Sequence, residues 1–501
     1  MLPSARPSVP FVILAVLVLI LHVAVFANTS SSQEPTPSGS DKKSTSQTTS
    51  SSKKRKKKKT TTVLPLVVFS PAPQTSTVAP IAPVTVESVQ VLPSAPTRGA
   101  VTASKSSGVH VSPSIVPTPL VASAGQLVIS EFRVRGPNGL NDEFIEIANV
   151  SGADHTVAPL SGTGYGIAAS DGVTRCSIPT GTVIPNKGHY LCVNSIGYSL
   201  ASYPAGNGTT ATGDATYTTD IPDNAGIALF NNNSGGGAYI LANRLDAVGS
   251  TSEANTLYKE GTGYPALVPF SIDYAFYRDN CGKGGSITTF GACPNGSQLK
   301  DTNNNAADFV FVDTNGTSAG AGQRLGAPGP ENLSSPIERN ASFAVNLLDT
   351  CVAAASPPNR VRDFTSDPPN NSTFGTLDIR RTVVNNTGGN VTRLRFRVVD
   401  ITTFPAPSGI ADLRPRTSTA VVVTVDRPPC GSGTSNVTVQ GTTLEQPPSQ
   451  PNGGGFNSSM SAGVVTLATP IANGASVDVR FLLGIQQTGS FKFFINVEAL
   501  P

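Results

Sequence analysis

From Gly125 to the C-terminus the chain is written in short runs of alternating apolar and polar residues, most of them bounded by glycine, asparagine, proline or threonine. QLVISEFRV (126–134), EFIEIANVS (143–151), GIALFN (226–231), AYILAN (238–243) and DYAFYR (273–278) are examples. TRCSIPTGTVIPNKGHYLCVN (174–194) contains two or three more. A period of two sets alternate side chains on opposite faces of an extended strand, and runs this short fall below the length of an ordinary helix. Composition agrees. Charged residues are only 13% of the chain, tryptophan is absent, and 48 glycines and 41 prolines punctuate it. Such a chain lacks the Glu, Lys, Ala and Leu that helices favour. The expected fold class is all-β, as two consecutive β-sandwich domains behind a disordered N-terminal tether.

The 501 residues are enough for two or three domains. GAPGPENLSSPIERN (326–340) is a Pro/Gly-rich boundary, which places one sandwich at 124–333 and a second at 334–501. In the second, TLDIRRTVVNNTGGNVTRLRFRVVDI (376–401) reads as two strands around an Asn/Gly turn, and VDVRFLLGIQQTGSFKFFINVEAL (477–500) as two around QQTGS. Residues 1–125 hold twelve Lys/Arg against three Asp/Glu, whereas 126–333 hold ten against eighteen. The net charge of +3 therefore hides a basic tail and a mildly acidic domain.

The tail begins with an apolar segment, residues 11–26, after Arg6, followed by Ala27 at a small-residue cleavage point. This is the layout of a secretory signal peptide (1–27), with an uncleaved membrane anchor as the alternative. Residues 28–123 are low-complexity Ser/Thr/Lys/Pro-rich text, expected to be a disordered tether. Within it Lys53, Lys54, Arg55, Lys56, Lys57, Lys58 and Lys59 form an unbroken basic run, a candidate contact for an anionic polymer, a lipid surface or nucleic acid. The alternative is a solvated tail with no specific partner.

Six cysteines fall as neighbours: Cys176 with Cys192, Cys281 with Cys293, and Cys351 with the more distant Cys430. None forms a CxxC pair and the chain has four histidines, which disfavours zinc or iron–sulfur ligation. Structural disulfides in an oxidising compartment are the expectation, although six cysteines admit fifteen connectivities.

ISEFRVRGPNGLNDEFIEIANVSG (129–152), IPTGTVIPNKGHYLCVN (178–194), IPDNAGIALFN (221–231), LDAVGSTSEANTLYKEGTG (245–263), AADFVFVDT (306–314) and GQRLGAPGPEN (322–332) follow one another in order. Together they resemble the lamin tail domain in its exported bacterial version, over about residues 124–333. The resemblance implies an immunoglobulin-like sandwich, a binding or architectural role, and no catalytic residues to transfer. The family's tryptophan positions are not tryptophan here, and Gly/Asn-rich insertions lengthen the loops. The C-terminal domain resembles, more weakly, the sandwich modules that close bacterial surface proteins.

Several motifs invite a chemical reading. NDEFIEIANV (141–150) sets Asp142, Glu143 and Glu146 around three large apolar residues. With period two, Ile145 and Ile147 share the core face while Phe144 and Glu146 take the other, so the acids are expected at the strand's edge, in turn or cross-strand contacts. Glu131, Asp142 and Glu143 remain a candidate cation cluster. DTNNNAAD (301–308) opens like a calcium loop but lacks its glycine and its final glutamate, leaving an irregular site through Asp301, Asp308 or Asp313. GTSAG (316–320) matches a nucleophile elbow at Ser318, yet no histidine follows His189. GTGYG (162–166) precedes no helix and reads as a turn. Arg393, Arg395 and Arg397 share one strand face, with Arg380 and Arg381 nearby in sequence. That face is either a polyanion surface or a solvated one paired with neighbouring acids.

The expected function is that of an exported, non-catalytic protein of a bacterial cell surface or envelope, binding an unknown protein or envelope polymer. No cofactor and no small-molecule substrate are expected, and the membrane is met only through residues 11–26 if these stay uncleaved. The alternatives are an envelope hydrolase of nuclease or esterase type with an unrecognised site, and a polyanion or nucleic-acid binder acting through Lys53–Lys59.

Overall fold

The computed structural model describes residues 122–202, 211–267, 274–281, 299–314, 324–402, 411–445 and 454–501. All lie in one compact unit, Val109–Pro501. The signal segment, the basic run Lys53–Lys59, Cys293 and Ser318 lie outside the described residues.

The fold is all-β, and its strands form two sandwiches. The first sheet has seven strands in the order Arg324–Leu325, Phe309–Asp313, Tyr274–Arg278, Leu127–Arg133, Phe144–Asn149, His189–Asn194, Ala215–Tyr217. A second sheet of four, Arg244–Val248, Ile227–Phe230, Gly164–Ala169 and Thr174–Pro179, packs on it. Ile129, Ile145 and Ile147 meet Ile167, Ile178 and Leu229 in the shared core, where the alternation requires them. The Cys176–Cys192 disulfide, with Cα atoms 6.3 Å apart, ties the two sheets together.

In the second sandwich a five-stranded sheet runs Ile337–Glu338, Phe493–Leu500, Arg393–Ile401, Ser459–Ser461, Thr443–Glu445. Its partner contains Phe343–Leu347, Thr376–Asn385, Ser476–Gln487 and Asp412–Arg416, with Arg360–Asp363 also on Thr376–Asn385. Leu394, Phe396 and Val398 pack against Val383, Val479 and Phe481, with the Phe396 and Phe481 rings edge to face at 5.0 Å. The hairpin Val421–Asp426/Thr434–Val439 forms a two-stranded sheet of its own, and its turn, which carries Cys430, is tied to the main body by Cys351–Cys430 (Cα–Cα 5.5 Å). Cys281 is also disulfide-bonded.

Two expectations need correction. AYILAN is not a strand: Gly236–Ala238 and Leu241–Asn243 are single 3₁₀ turns, and Ile240 and Leu241 are exposed. The glycine run before it, with Gly235 at φ +80°, turns the chain where a strand would begin. The acids of NDEFIEIANV are not at an exposed edge either. Every residue of Phe144–Asn149 is buried, because the outer face of the seven-stranded sheet is covered by the second sandwich. Phe144, Leu191, Val193, Tyr277 and Val312 belong to the same apolar cluster as Phe456 and Phe396, and the Tyr277 and Phe456 rings meet edge to face at 5.6 Å.

Candidate functional site

The joint between the sandwiches is polar as well as apolar, and it gathers most of the residues that the sequence marks for chemistry. Leu127–Arg133 and Phe144–Asn149 turn Glu131 and Glu146 outward from the first core, and Arg393–Ile401 turns Arg395 and Arg397 outward from the second. Register places Arg395 opposite Glu498. The single Glu498 carboxylate is gripped from both sides, by Arg395 Nε on Oε2 at 2.6 Å and by Arg397 Nε on Oε1 at 2.7 Å. Glu331, from the boundary segment, pairs with Arg395 and lies 3.1 Å from Arg397. Burial raises the cost of ionising Glu498, but the two guanidiniums outweigh it and hold its pKa below the usual range.

Arg395 and Arg397 are 1% and 3% exposed, so neither a polyanion nor solvent lies across them. The expectation of acidic partners on a neighbouring strand was right for these two, and the expectation of a solvated face was not. Arg380 and Arg381 sit in the other sheet of that sandwich. Arg380 pairs with Asp378, and Arg381 donates to the carbonyls of Asn359 and Arg380.

The acids of the opening strands act as clamps on loop backbone. Glu131 accepts the Gly329 N–H (3.0 Å) and the Asn457 side-chain amide (2.9 Å), both from outside its own sheet. Glu146 accepts the Glu331 N–H (2.6 Å) and the Ser130 hydroxyl. Glu143 accepts the Ile221 N–H (2.7 Å) and the Asn194 amide (2.8 Å). Asp142 pairs with Arg133 and accepts the Ser199 and Asn138 N–H groups at 2.9 and 3.0 Å. Glu131, Asp142 and Glu143 thus serve separate loops and do not gather around a cation. Burial pushes the Glu131 carboxyl up to about 7 and Glu143 to about 8, and it holds Glu146 well above the ordinary value, with Glu131 adding to the effect.

A cavity of about 230 Å³ opens at this joint, lined by Ser130, Glu146, Lys187, His189, Glu331 and Arg397 among others. Ligand pockets usually span about 300–1,000 Å³, so this one suits water or a small polar solute. His189 lies between two acids, with Nε2 3.8 Å from Glu146 Oε1 and Nδ1 3.4 Å from Glu331 Oε2. Glu146, His189 and Glu331 have the spacing of a metal triad. Burial, and then the charges of Arg397 and Arg395 against the opposing Glu498, push the imidazole down to about 3, so the ring is neutral near pH 7. So weak a base is far from the pKa near 7 that suits general-base work, and Ser130 gives its hydrogen bond to Glu146.

A second acidic cluster lies in the first sandwich, at Asp246, Glu260 and Asp301. Of the calcium-loop candidates, Asp301 joins it. Asp308 caps its own loop through the Thr302 N–H (2.9 Å) and hydroxyl (2.7 Å), and Asp313 ends a buried strand. Asp246 and Glu260 carry no recognisable spacing in sequence; only the fold brings them to Asp301. Among the described residues no helix is long and apolar enough to cross a membrane. No family model, no curated protein and no solved structure matches this chain.

Proposed function

We propose that the chain is an exported, non-catalytic protein of a bacterial surface or envelope, whose two sandwiches act as one binding or scaffolding block on a basic tether. The observation that carries this reading is the joint. Its acids and arginines hold loops and sheets to one another, and its cavity is small. The sequence likeness of residues 124–333 to lamin tail domains supports an architectural role, and the apolar segment 11–26 supports export or anchoring.

The test is a screen of the purified full chain against nuclease, phosphatase, esterase and peptidase substrates, alongside fractionation of the native cell with intact-mass measurement. Turnover that disappears in Glu146→Gln would replace this reading with the hydrolase alternative. A reduced cytoplasmic product would remove the export reading.

A second reading is favoured by one feature, the seven consecutive basic residues Lys53–Lys59. If they bind a polyanion, affinity falls steeply with salt and is lost when the run is replaced by serine. With Arg395 and Arg397 buried, the polyanion reading rests on the tether.

A further inference from the structure

The hairpin Val421–Asp426/Thr434–Val439 belongs to neither sandwich, and its first strand reads VVVTVD. It is held at both ends. Its turn is tied down by Cys351–Cys430, and just beyond its other end Gln440 donates to the Asp478 carbonyl (2.7 Å) and accepts the Arg480 N–H (2.9 Å). Along an antiparallel ladder, successive residues turn their N–H and C=O alternately toward the partner strand and away from it. Asp426 turns its N–H away from its register partner Thr434 and gives it to the Asp349 carboxylate at 2.7 Å. By that alternation Val422 and Thr424 point their backbone groups outward, while Val421, Val423 and Val425 face Val439, Val437 and Ser435. Among the described residues no hydrogen bond reaches the outward backbone groups of Val422 or Thr424. Val422 is 70% exposed, and Thr424 is exposed as well.

An open strand edge is a template for another strand, and proteins blunt such edges with lysine, proline, bulges or shortness. Other edges of this molecule are blunted. Asp412–Arg416 carries Pro415, two arginines and a register break, and Arg244–Val248 carries two charges and a register break. Arg324–Leu325 and Ile337–Glu338 are two residues long. Val421–Asp426 has neither lysine nor proline, and its register with Thr434–Val439 runs without a shift. Its apolar support is thin. Val421, Val423 and Val437 are only partly buried, against a core of Leu348, Val425 and Val439. Two strands alone make a marginal sheet, and further strands on one apolar face strengthen it.

We infer that Val421–Asp426 is a self-association edge, which pairs antiparallel with the same strand of a second copy of this chain. The spacing of the open groups selects this occupant. With Val422 of one copy opposite Thr424 of the other, every open N–H meets an open C=O about a two-fold axis. That register sets Val423 opposite Val423 and Val421 opposite Val425, so the half-buried valines of both copies join one apolar face. It also keeps charges apart, because Asp426 falls opposite Ala420 and Arg427 opposite Thr419. A strand of arbitrary sequence would have to supply both matches; the second copy already carries them.

The experiment uses the purified full chain with its disulfides intact, followed by sedimentation velocity and amide exchange from about 5 to 500 µM. The expected result is a reversible dimer with a Kd of about 10⁻⁴ M, since one strand edge falls short of the roughly 1,200 Å² of a stable interface. The Val422 and Thr424 amides should exchange more slowly as concentration rises. Val422→Lys with Thr424→Lys sets like charges opposite one another and should weaken the dimer about tenfold. Val422→Lys with Thr424→Glu sets opposite charges there and should restore it. Val422→Pro removes an outward N–H without adding charge and should also weaken the dimer, and it decides the matter where two lysines unsettle the hairpin. A wild-type chain that stays monomeric at about 500 µM overturns the inference. So does a monomer whose Val422 and Thr424 amides are protected at every concentration, because a segment of the same chain then covers the edge. Association that is equal in all the variants overturns it too, since the contact then lies elsewhere.

Discussion

Glu498 shows what single residues do at the joint. Its carboxylate meets two buried arginines, which it shares with Glu331. Removing one partner of such a pair costs more than the pair contributes, because the remaining charge stays buried. Glu498→Gln is therefore expected to destabilise the protein by about 3 kcal/mol, read as a shift in urea midpoint. Replacing the whole group together (Glu498→Met and Glu331→Met with Arg395→Met and Arg397→Met) should cost less. A larger loss in the quadruple variant would refute the account. His189 contributes through pH. Its folded pKa of about 3 lies below the ordinary 6.5, so below pH 6.5 the unfolded chain takes a proton that the folded chain refuses. Its effect is nil above 6.5 and grows by about 1.4 kcal/mol per pH unit as pH falls toward 3. Glu131 works in the opposite sense: with a folded pKa of about 7 against 4.5, it costs stability as pH rises through that range. His189→Gln isolates the histidine. Between pH 6.5 and 5 the wild type should lose about 2 kcal/mol more than the variant, and parallel profiles would sink the assignment. The period-two placement of Arg395 and Arg397 was legible in sequence, as was the pairing of Phe144 with Glu146 on one face. What covers those faces was not, since alternation records which side chains share a face and not what packs on it.

Strands were legible for the same reason, and their partners were less so. The runs at 376–401 and 477–500 each yield two strands around the expected turn. Thr376–Asn385 pairs with Ser476–Gln487, however, and Arg393–Ile401 pairs with Phe493–Leu500. Each turn therefore crosses from one sheet of the sandwich to the other. Long-range pairing of this kind leaves no local signature, because turn chemistry constrains the bend and not the sheet that the next strand joins. Cysteine spacing was informative where it staples such elements. Cys351–Cys430 spans 79 residues and holds the turn of the hairpin Val421–Asp426/Thr434–Val439, whose own core is little more than Leu348, Val425 and Val439 with three flanking valines. Closing a loop of that size is worth about 4 kcal/mol in chain entropy. Cys351→Ser with Cys430→Ser should lose most of that amount. Amide exchange should quicken in the hairpin while Leu127–Arg133 keeps its protection, and equal acceleration in both places would show that the staple is not local.

At the scale of the molecule, the boundary segment near 326–336 is not a loose linker between independent sandwiches. Gly329 and Glu331 donate their backbone N–H groups to Glu131 and Glu146 of the first sandwich, while the Glu331 side chain pairs with Arg395 of the second. The segment thus closes both sheets over one polar layer, flanked by the apolar contact of Tyr277 with Phe456. Composition marked the segment as a boundary because proline and glycine are common to linkers and to tight, buried turns; the acids that receive its backbone lie about 185 to 198 residues away. Two sandwiches fixed this way should unfold together, giving one calorimetric transition for the disulfide-intact protein. Gly329 is the position to perturb. A Cβ there would overlap the Arg397 guanidinium and come within 3.0 Å of the Asn457 carbonyl, so even alanine must displace the segment. Gly329→Ala should lower the first transition by several degrees and split the profile in two, as the sandwiches lose their common layer while keeping their own cores. A variant that still melts in one transition at the wild-type temperature would show that the sandwiches cohere through their apolar contacts alone.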